Sequence, residues 1–320
     1  MQDLNRAKHR NFFKFYRLSQ LLVKDIMRES LKKIISEKWL RVAVWASLVS
    51  QILIVVTGGG VRLTGSGLGC DTWPKCMDDS WVSVPEMGIH GVIEFGNRLL
   101  TFLLLIIALV TLVASFLHGK VRKIRITAVA LVIGIFIQAV IGGISVLMKL
   151  NPWVVGLHFV VSAVMIAIAS VQLWRTYSPV ISRASKIERV LSNLLVIVGS
   201  TTVVIGVVVT GSGPHAGDAD TPRNGLDAEL WQHFHSYPAY LTLGIAAVTL
   251  FLARRRDVDG YASRLNFWTF LVLVAQAVTG VVQVRLGLPV EIVIVHLTLA
   301  SVLVALMTLQ WTASRSPKNG

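Results

Sequence analysis

Charge is in short supply in this chain of 320 residues: Asp, Glu, Lys and Arg together make up only 15% of it, while 54% is hydrophobic. With a mean hydropathy of +0.66, such a sequence cannot fold around one aqueous core, and a bilayer must be its solvent. Acid is scarcer than base, with 17 acidic against 31 basic side chains and a formal net charge of +14. A basic excess is the footprint of a phosphate binder, yet no basic patch is present. Eleven of the 31 Lys and Arg lie between Arg6 and Arg41, and most of the others sit in short connections between apolar runs. That distribution is a topology signal and excludes a nucleic-acid surface. No signal-peptide h-region or cleavage site stands out. Instead, residues 1–38 set basic groups around Phe12, Phe13, Phe15, Tyr16, Leu21, Leu22, Val23, Ile26 and Met27. An amphipathic arm lying on the cytoplasmic membrane surface is expected there, with a partner-docking arm as the alternative. Cysteine is restricted to Cys70 and Cys76, in one loop, so its redox state depends on which side that loop faces.

What the chain does have is eight apolar stretches, each long enough to cross about 30 Å of hydrocarbon. They run Leu40–Gly60, Ile93–Leu117, Ile126–Met148, Pro152–Trp174, Val190–Thr210, Glu229–Leu252, Leu265–Val284 and Pro289–Trp311. The N-terminal segment, the connections 120–125, 175–189 and 254–264, and the C-terminus hold 25 of the Lys and Arg; the opposite connections hold five, Arg62, Lys75, Lys149, Arg223 and Arg285. Both termini are therefore expected in the cytoplasm. Two long connections rich in Gly, Asp and Pro, 60–91 and 211–228, then face outward, and loops of that length are usually functional or disordered.

The second half of the chain repeats the first. Gln138-Ala139-Val140-Ile141-Gly142 recurs as Gln276-Ala277-Val278-Thr279-Gly280, and sixteen residues after each final glycine stands a histidine, His158 or His296. The same offset sets Asn97 against His235 and Glu94 against Gln232, while Thr64-Gly65-Ser66-Gly67 recurs as Thr210-Gly211-Ser212-Gly213. The expected fold is an all-α integral membrane protein of eight transmembrane helices in two pseudo-symmetric four-helix bundles, residues 39–178 and 179–320, related by an axis along the membrane normal.

Three histidines, His158, His235 and His296, fall at similar depth in the outer half of the membrane, His158 about 9 Å along its helix from Pro152. Ionisable groups are costly there and mark sites with partners. Imidazoles from neighbouring helices can bind opposite faces of one heme; alternatively each hydrogen-bonds a neighbouring helix. Glu94 and Asn97 share a helix face. Glu94 is a candidate proton acceptor or cation stabiliser, or else an acid near a helix N-terminus. Arg98 can pair with Glu94, with a heme propionate, or reach for the interface. His90, four residues before Glu94, can face the same site. Cys70 and Cys76, on the oxidising side by the charge count, are expected to form a disulfide, either structural or redox-active.

Together these residues resemble the heme A synthase family, over about Trp39 to Trp311. The most specific pieces are Thr64-Gly65-Ser66-Gly67-Leu68-Gly69-Cys70 and Trp73-Pro74-Lys75-Cys76, supported by Ile93-Glu94-Phe95-Gly96-Asn97-Arg98 and the repeated histidines. The resemblance implies an oxidoreductase of the cell membrane that turns a methyl group of heme O into a formyl group by successive hydroxylations, giving heme A for terminal oxidases. It implies a heme b in the C-terminal bundle with His235 and His296 as axial ligands to iron. Substrate heme O would lie in the N-terminal bundle with His158 on its iron, Glu94 as the catalytic carboxylate, and Asn97, Arg98 and His90 beside it. Heme O synthase, terminal oxidase assembly factors and further copies of the chain are the partners in view. The chain departs from the family at Asn97, where a histidine is common, and in the second outer loop, which lacks a cysteine pair.

A diheme b-type electron-transfer cytochrome of the membrane would use the same histidines without chemistry on the porphyrin, and Glu94 beside a position lacking its second histidine argues against it. A transporter would place its polar residues at mid-depth.

Overall fold

The computed structural model describes residues 37–118, 122–179, 184–255 and 260–315. Up to residue 36, the expected basic arm lies outside the described residues. Eight long helices follow one another, α1 (Glu37–Leu63), α2 (Gly88–Leu117), α3 (Arg122–Leu147), α4 (Pro152–Tyr177), α5 (Lys186–Ser212), α6 (Ala228–Arg255), α7 (Gly260–Arg285) and α8 (Val290–Arg315). A 3-10 turn, Pro85–Met87, leads into α2. No strand occurs among the described residues.

All eight helices are long and apolar enough to cross a membrane, and the protein is a multi-pass membrane protein. Most helices overrun the apolar stretches by several residues, because backbone groups leaving the hydrocarbon remain best satisfied inside the helix. A helix of 26 residues, such as α4, is about 39 Å long and reaches into the headgroup region. Local chemistry fixes the ends. Asn151 accepts a hydrogen bond from Trp153 N at 3.0 Å with Pro152 as the first residue of α4, and α5 opens on a reciprocal capping box between Ser185 and Glu188.

In α1, Leu40, Val44 and Leu48 recur every fourth residue and are buried against Leu173 and Ala169 of α4. In α2, Leu99, Phe102, Leu103, Ile106, Val110 and Val113 form the opposite, exposed stripe. In water that stripe would be a defect; in a bilayer it is the lipid-facing surface.

Helix α1 packs on α2 and α4, α2 on α3, and α3 on α4; likewise α5 packs on α6 and α8, α6 on α7, and α7 on α8. Between these two groups α4 meets α8, and the remaining contacts, α1 with α8 and α5 with α4, exchange with each other when the groups are swapped. The turns repeat bond by bond. In the α3–α4 turn Met148, Lys149 and Leu150 donate to Ile144, Val146 and Ser145; in the α7–α8 turn Leu286, Gly287 and Leu288 donate to Val282, Val284 and Gln283. Leu150 and Leu288 both sit at positive φ, 57° and 63°, a conformation a leucine adopts only where surrounding bonds enforce it.

Candidate functional site

Helices α2, α4, α6 and α8 all start at one face of the protein, and each carries a polar residue six or seven positions in: Glu94, His158, His235 and His296. At about 1.5 Å per residue these groups lie about 9–10 Å below that face.

His235 and His296 come together, with ring centres 6.5 Å apart and planes inclined by 69°. His235 Nδ1 donates to the carbonyl of Thr202 at 3.0 Å, which leaves Nε2 as the nitrogen with a free lone pair. His296 Nδ1 lies 3.2 Å from Thr279 Oγ1, which itself donates to Ala275 O, and its Nε2 lies 3.1 Å from the Gln276 amide nitrogen. The two Nδ1 bonds orient the imidazoles and raise their basicity as ligands, while the Gln276 amide donates to the Nε2 lone pair of His296 and must turn aside before that nitrogen can bind a metal. Both rings rest on glycine: a β-carbon at Gly206 would stand 2.8 Å from His235 Cε1, and one at Gly280 would stand 3.2 Å from His296 Cε1. A metal lying between two imidazoles, bonded to each at about 2 Å, would hold their ring centres about 6.3 Å apart. The observed spacing fits that arrangement. No group of three His, Cys, Asp or Glu that could hold an ion occurs among the described residues, so the pair suits a metal that brings its other ligands with it, as heme does.

The other half presents one imidazole. His158 rests on Gly142 with the spacing found in the second half, 3.2 Å from a built β-carbon to Cε1, and its Nδ1 is buried with no hydrogen-bond partner. Gln138 Nε2 donates to His158 O and to Ser162 Oγ, pinning α3 to α4 beside the ring. Asn97, opposite His235 in the repeat, accepts from Thr57 Oγ1 at 2.8 Å. His90 is exposed at the surface and its Nδ1 lies 2.9 Å from Ser66 Oγ, so its ring is tied to the loop that follows α1.

Glu94 is 5% exposed. Its Oε2 accepts from Cys70 N at 2.6 Å, and its Oε1 accepts from Arg98 Nη2 at 2.6 Å and Nε at 3.2 Å. Cys70 and Cys76 form the expected disulfide. Arg98 forms the anticipated ion pair with Glu94.

Several contributors were not apparent in the sequence. Trp73, inside the disulfide loop, lies against α3, where a β-carbon at Gly143 would meet its ring at 2.4 Å. The loop therefore bridges from Glu94 on α2 to the residue next to Gly142. Arg62 donates to the carbonyls of His215 and Thr210, both at 2.7 Å, and Gly67 N donates to Gly217 O, joining the two long loops. His215 Nε2 in turn donates to Leu288 O at the α7–α8 turn. Thr202 carries no motif, and nothing in the repeated stretch 276–280 assigns Thr279 a role; the sixteen-residue spacing from Gly142 to His158 and from Gly280 to His296 is the signal that could have revealed the ring-on-glycine packing.

Several proteins similar to this chain are heme A synthases. A heme A synthase of Staphylococcus epidermidis is 27% identical over 282 residues, 81% of this chain and 89% of its own. One of Listeria monocytogenes is 28% identical over 297 residues, 86% of this chain and 96% of its own. A shorter match, 35% identical over 126 residues, covers 38% of this chain and 39% of a heme A synthase of Bacillus pumilus. Residues 41–308, which contain every helix named above almost entire, match the COX15-CtaA family of cytochrome oxidase assembly proteins, and the chain belongs to that family.

Proposed function

We propose that this protein is a heme A synthase, an oxidoreductase of the cell membrane that converts a methyl group of heme O to a formyl group by successive hydroxylations. The observation that carries the reading is an asymmetry within the repeat. One half pairs two imidazoles at 6.5 Å, while the other sets a single imidazole and a buried carboxylate at the same depth. An electron carrier prefers two fixed ligands at each iron; a half with one ligand and an acid is suited to act on what it binds.

In this reading residues 179–320 hold heme b through His235 and His296, and residues 39–178 receive heme O, with His158 on its iron and Asn97 and His90 flanking it. The two units are related by an axis along the membrane normal, which the exchange of helix contacts supports. Both termini are cytoplasmic and the heme sites lie toward the outer face, as the distribution of Lys and Arg supports. Heme O synthase and terminal oxidase assembly factors are the protein partners, and the chain can self-associate in the bilayer.

Heme b, when bound, supplies one-electron chemistry. The residues of the chain do the rest. His158 orients the substrate so that its methyl group faces Glu94. Each hydroxylation takes two electrons and one C–H proton from the methyl carbon, the electrons leaving to an external one-electron acceptor and the hydroxyl coming from water; the carboxylate stabilises the positive charge developing at that carbon and takes a proton from the attacking water. Arg98 serves this chemistry through Glu94, and the apolar helix faces keep bulk water out.

Coexpression with a source of heme O, followed by chromatography of the extracted hemes, tests the proposal. Heme A or hydroxylated heme O is expected. Heme b alone would replace the enzyme with an electron carrier.

A further inference from the structure

The five N–H groups of Arg98 are all committed. Nε and one N–H of Nη2 donate to Glu94 Oε1, the other N–H of Nη2 donates to Cys70 O at 3.0 Å, and Nη1 donates to Thr72 O and Lys75 O, each at 3.0 Å. A guanidinium has five donors in a rigid fork and no more, so none is left for a substrate propionate. The three carbonyls belong to the loop that the Cys70–Cys76 disulfide closes. The same loop returns a donor to the carboxylate, Cys70 N to Glu94 Oε2 at 2.6 Å.

We propose that Arg98 is a positioning residue for Glu94: it locks the carboxylate and the disulfide-closed loop 70–76 into one unit, so that the loop, and not the helix alone, sets where the carboxylate stands. The accounting at Glu94 adds a consequence. A carboxylate offers about four acceptor positions. Two bonds fall on Oε1 and one on Oε2, which leaves the open position on Oε2, the oxygen that meets water or the substrate methyl group. A lysine at position 98 would keep the charge, but the three donors of its point-like ammonium cannot reach three carbonyls and also give two bonds to Glu94 Oε1. Trp73, carried by the same loop against Gly143, extends the unit to the helix on which His158 rests. Its proposed role presupposes that Glu94 acts on heme O.

The test uses full-length protein with heme b bound, comparing Arg98→Gln and Arg98→Lys with the unaltered chain. In both variants kcat for heme O should fall about 100-fold, the scale expected when a reacting group is misplaced by about 1 Å, while heme O binding stays within about twofold because no substrate contact is lost. The infrared carboxylate bands of Glu94, assigned by difference against Glu94→Gln, should shift in Arg98→Lys without substrate present. Weakened heme O binding with kcat preserved would make Arg98 a propionate ligand and overturn the proposal; so would unshifted carboxylate bands. Loss of heme b from both variants would overturn it too, because Arg98 would then support the whole fold. If the unaltered chain forms no heme A, the proposed enzymatic function fails first, a result distinct from each of these.

Discussion

His235 and His296 face one another across α6 and α8 with ring centres 6.5 Å apart, and the Nδ1 of His235 is bonded to Thr202 O. In the proposed reading the pair stands near ligating geometry before heme binds, and the Gln276 contact to His296 Nε2 is what must give way. Replacing either residue with Ala should abolish the absorbance of a six-coordinate low-spin heme b. Replacing His158 with Ala should leave it intact. Spectra of the purified variants check this, and a low-spin heme surviving without both His235 and His296 would refute the pairing.

Gly206 supplies the floor beneath His235. A β-carbon there would stand 2.8 Å from the imidazole, closer than atoms in a packed core tolerate, and overpacking of this kind costs about 1–3 kcal/mol. Gly206→Ala should therefore weaken heme b binding by a factor of roughly 5 to 150. Gly244→Ala, in α6 with nothing within 4 Å of its β-carbon, should leave it unchanged. Heme titration of the two variants separates a specific contact from a general intolerance of alanine.

At Glu94, amide and alanine substitutions answer different questions. Alanine leaves Arg98 facing an empty position in a partly buried site, and breaking such a pair costs several kcal/mol. Gln retains an acceptor for the guanidinium but cannot take a proton or balance a positive charge. Glu94→Gln should keep heme b and melt near the unaltered chain, with turnover reduced about 100- to 10,000-fold. Glu94→Ala should lose turnover and melt lower. In both, heme O or its alcohol should accumulate, as chromatography of extracted hemes would show.

Much of this was legible in the sequence. The eight spans follow from length and hydropathy alone, and the largest differences in boundary lie at helix ends that continue beyond the apolar run, as at Glu37 and Arg255. The sixteen-residue spacing from Gly142 and Gly280 to the histidines encodes a hairpin that folds glycine onto imidazole. The clamp around Glu94 was not legible, because Arg98 binds backbone carbonyls of the disulfide loop, and carbonyls have no sequence. Likewise Arg62 could be assigned to a side of the membrane by charge, but not to the carbonyls of Thr210 and His215, about 150 residues away.

Asn97 marks the point where the two halves diverge chemically. Where His235 stands against Gly206, Asn97 instead accepts from Thr57 Oγ1, and Gly60, four residues before Thr64 as Gly206 is before Thr210, has nothing within 4 Å of a built β-carbon. The space that an imidazole fills in the second half is open in the first. With His158 as the one intramembrane imidazole of that half, bound heme O should be five-coordinate and high-spin in the unaltered protein. Asn97→His should supply the second ligand, turn the substrate heme low-spin and tighten its binding, with the heme b spectrum unaffected. Adding His158→Ala to that variant should return the substrate heme to high spin. Magnetic circular dichroism of protein loaded with heme O reads both changes, and a substrate heme already low-spin before Asn97 is touched would mean that another side chain, His90 first among them, reaches the iron.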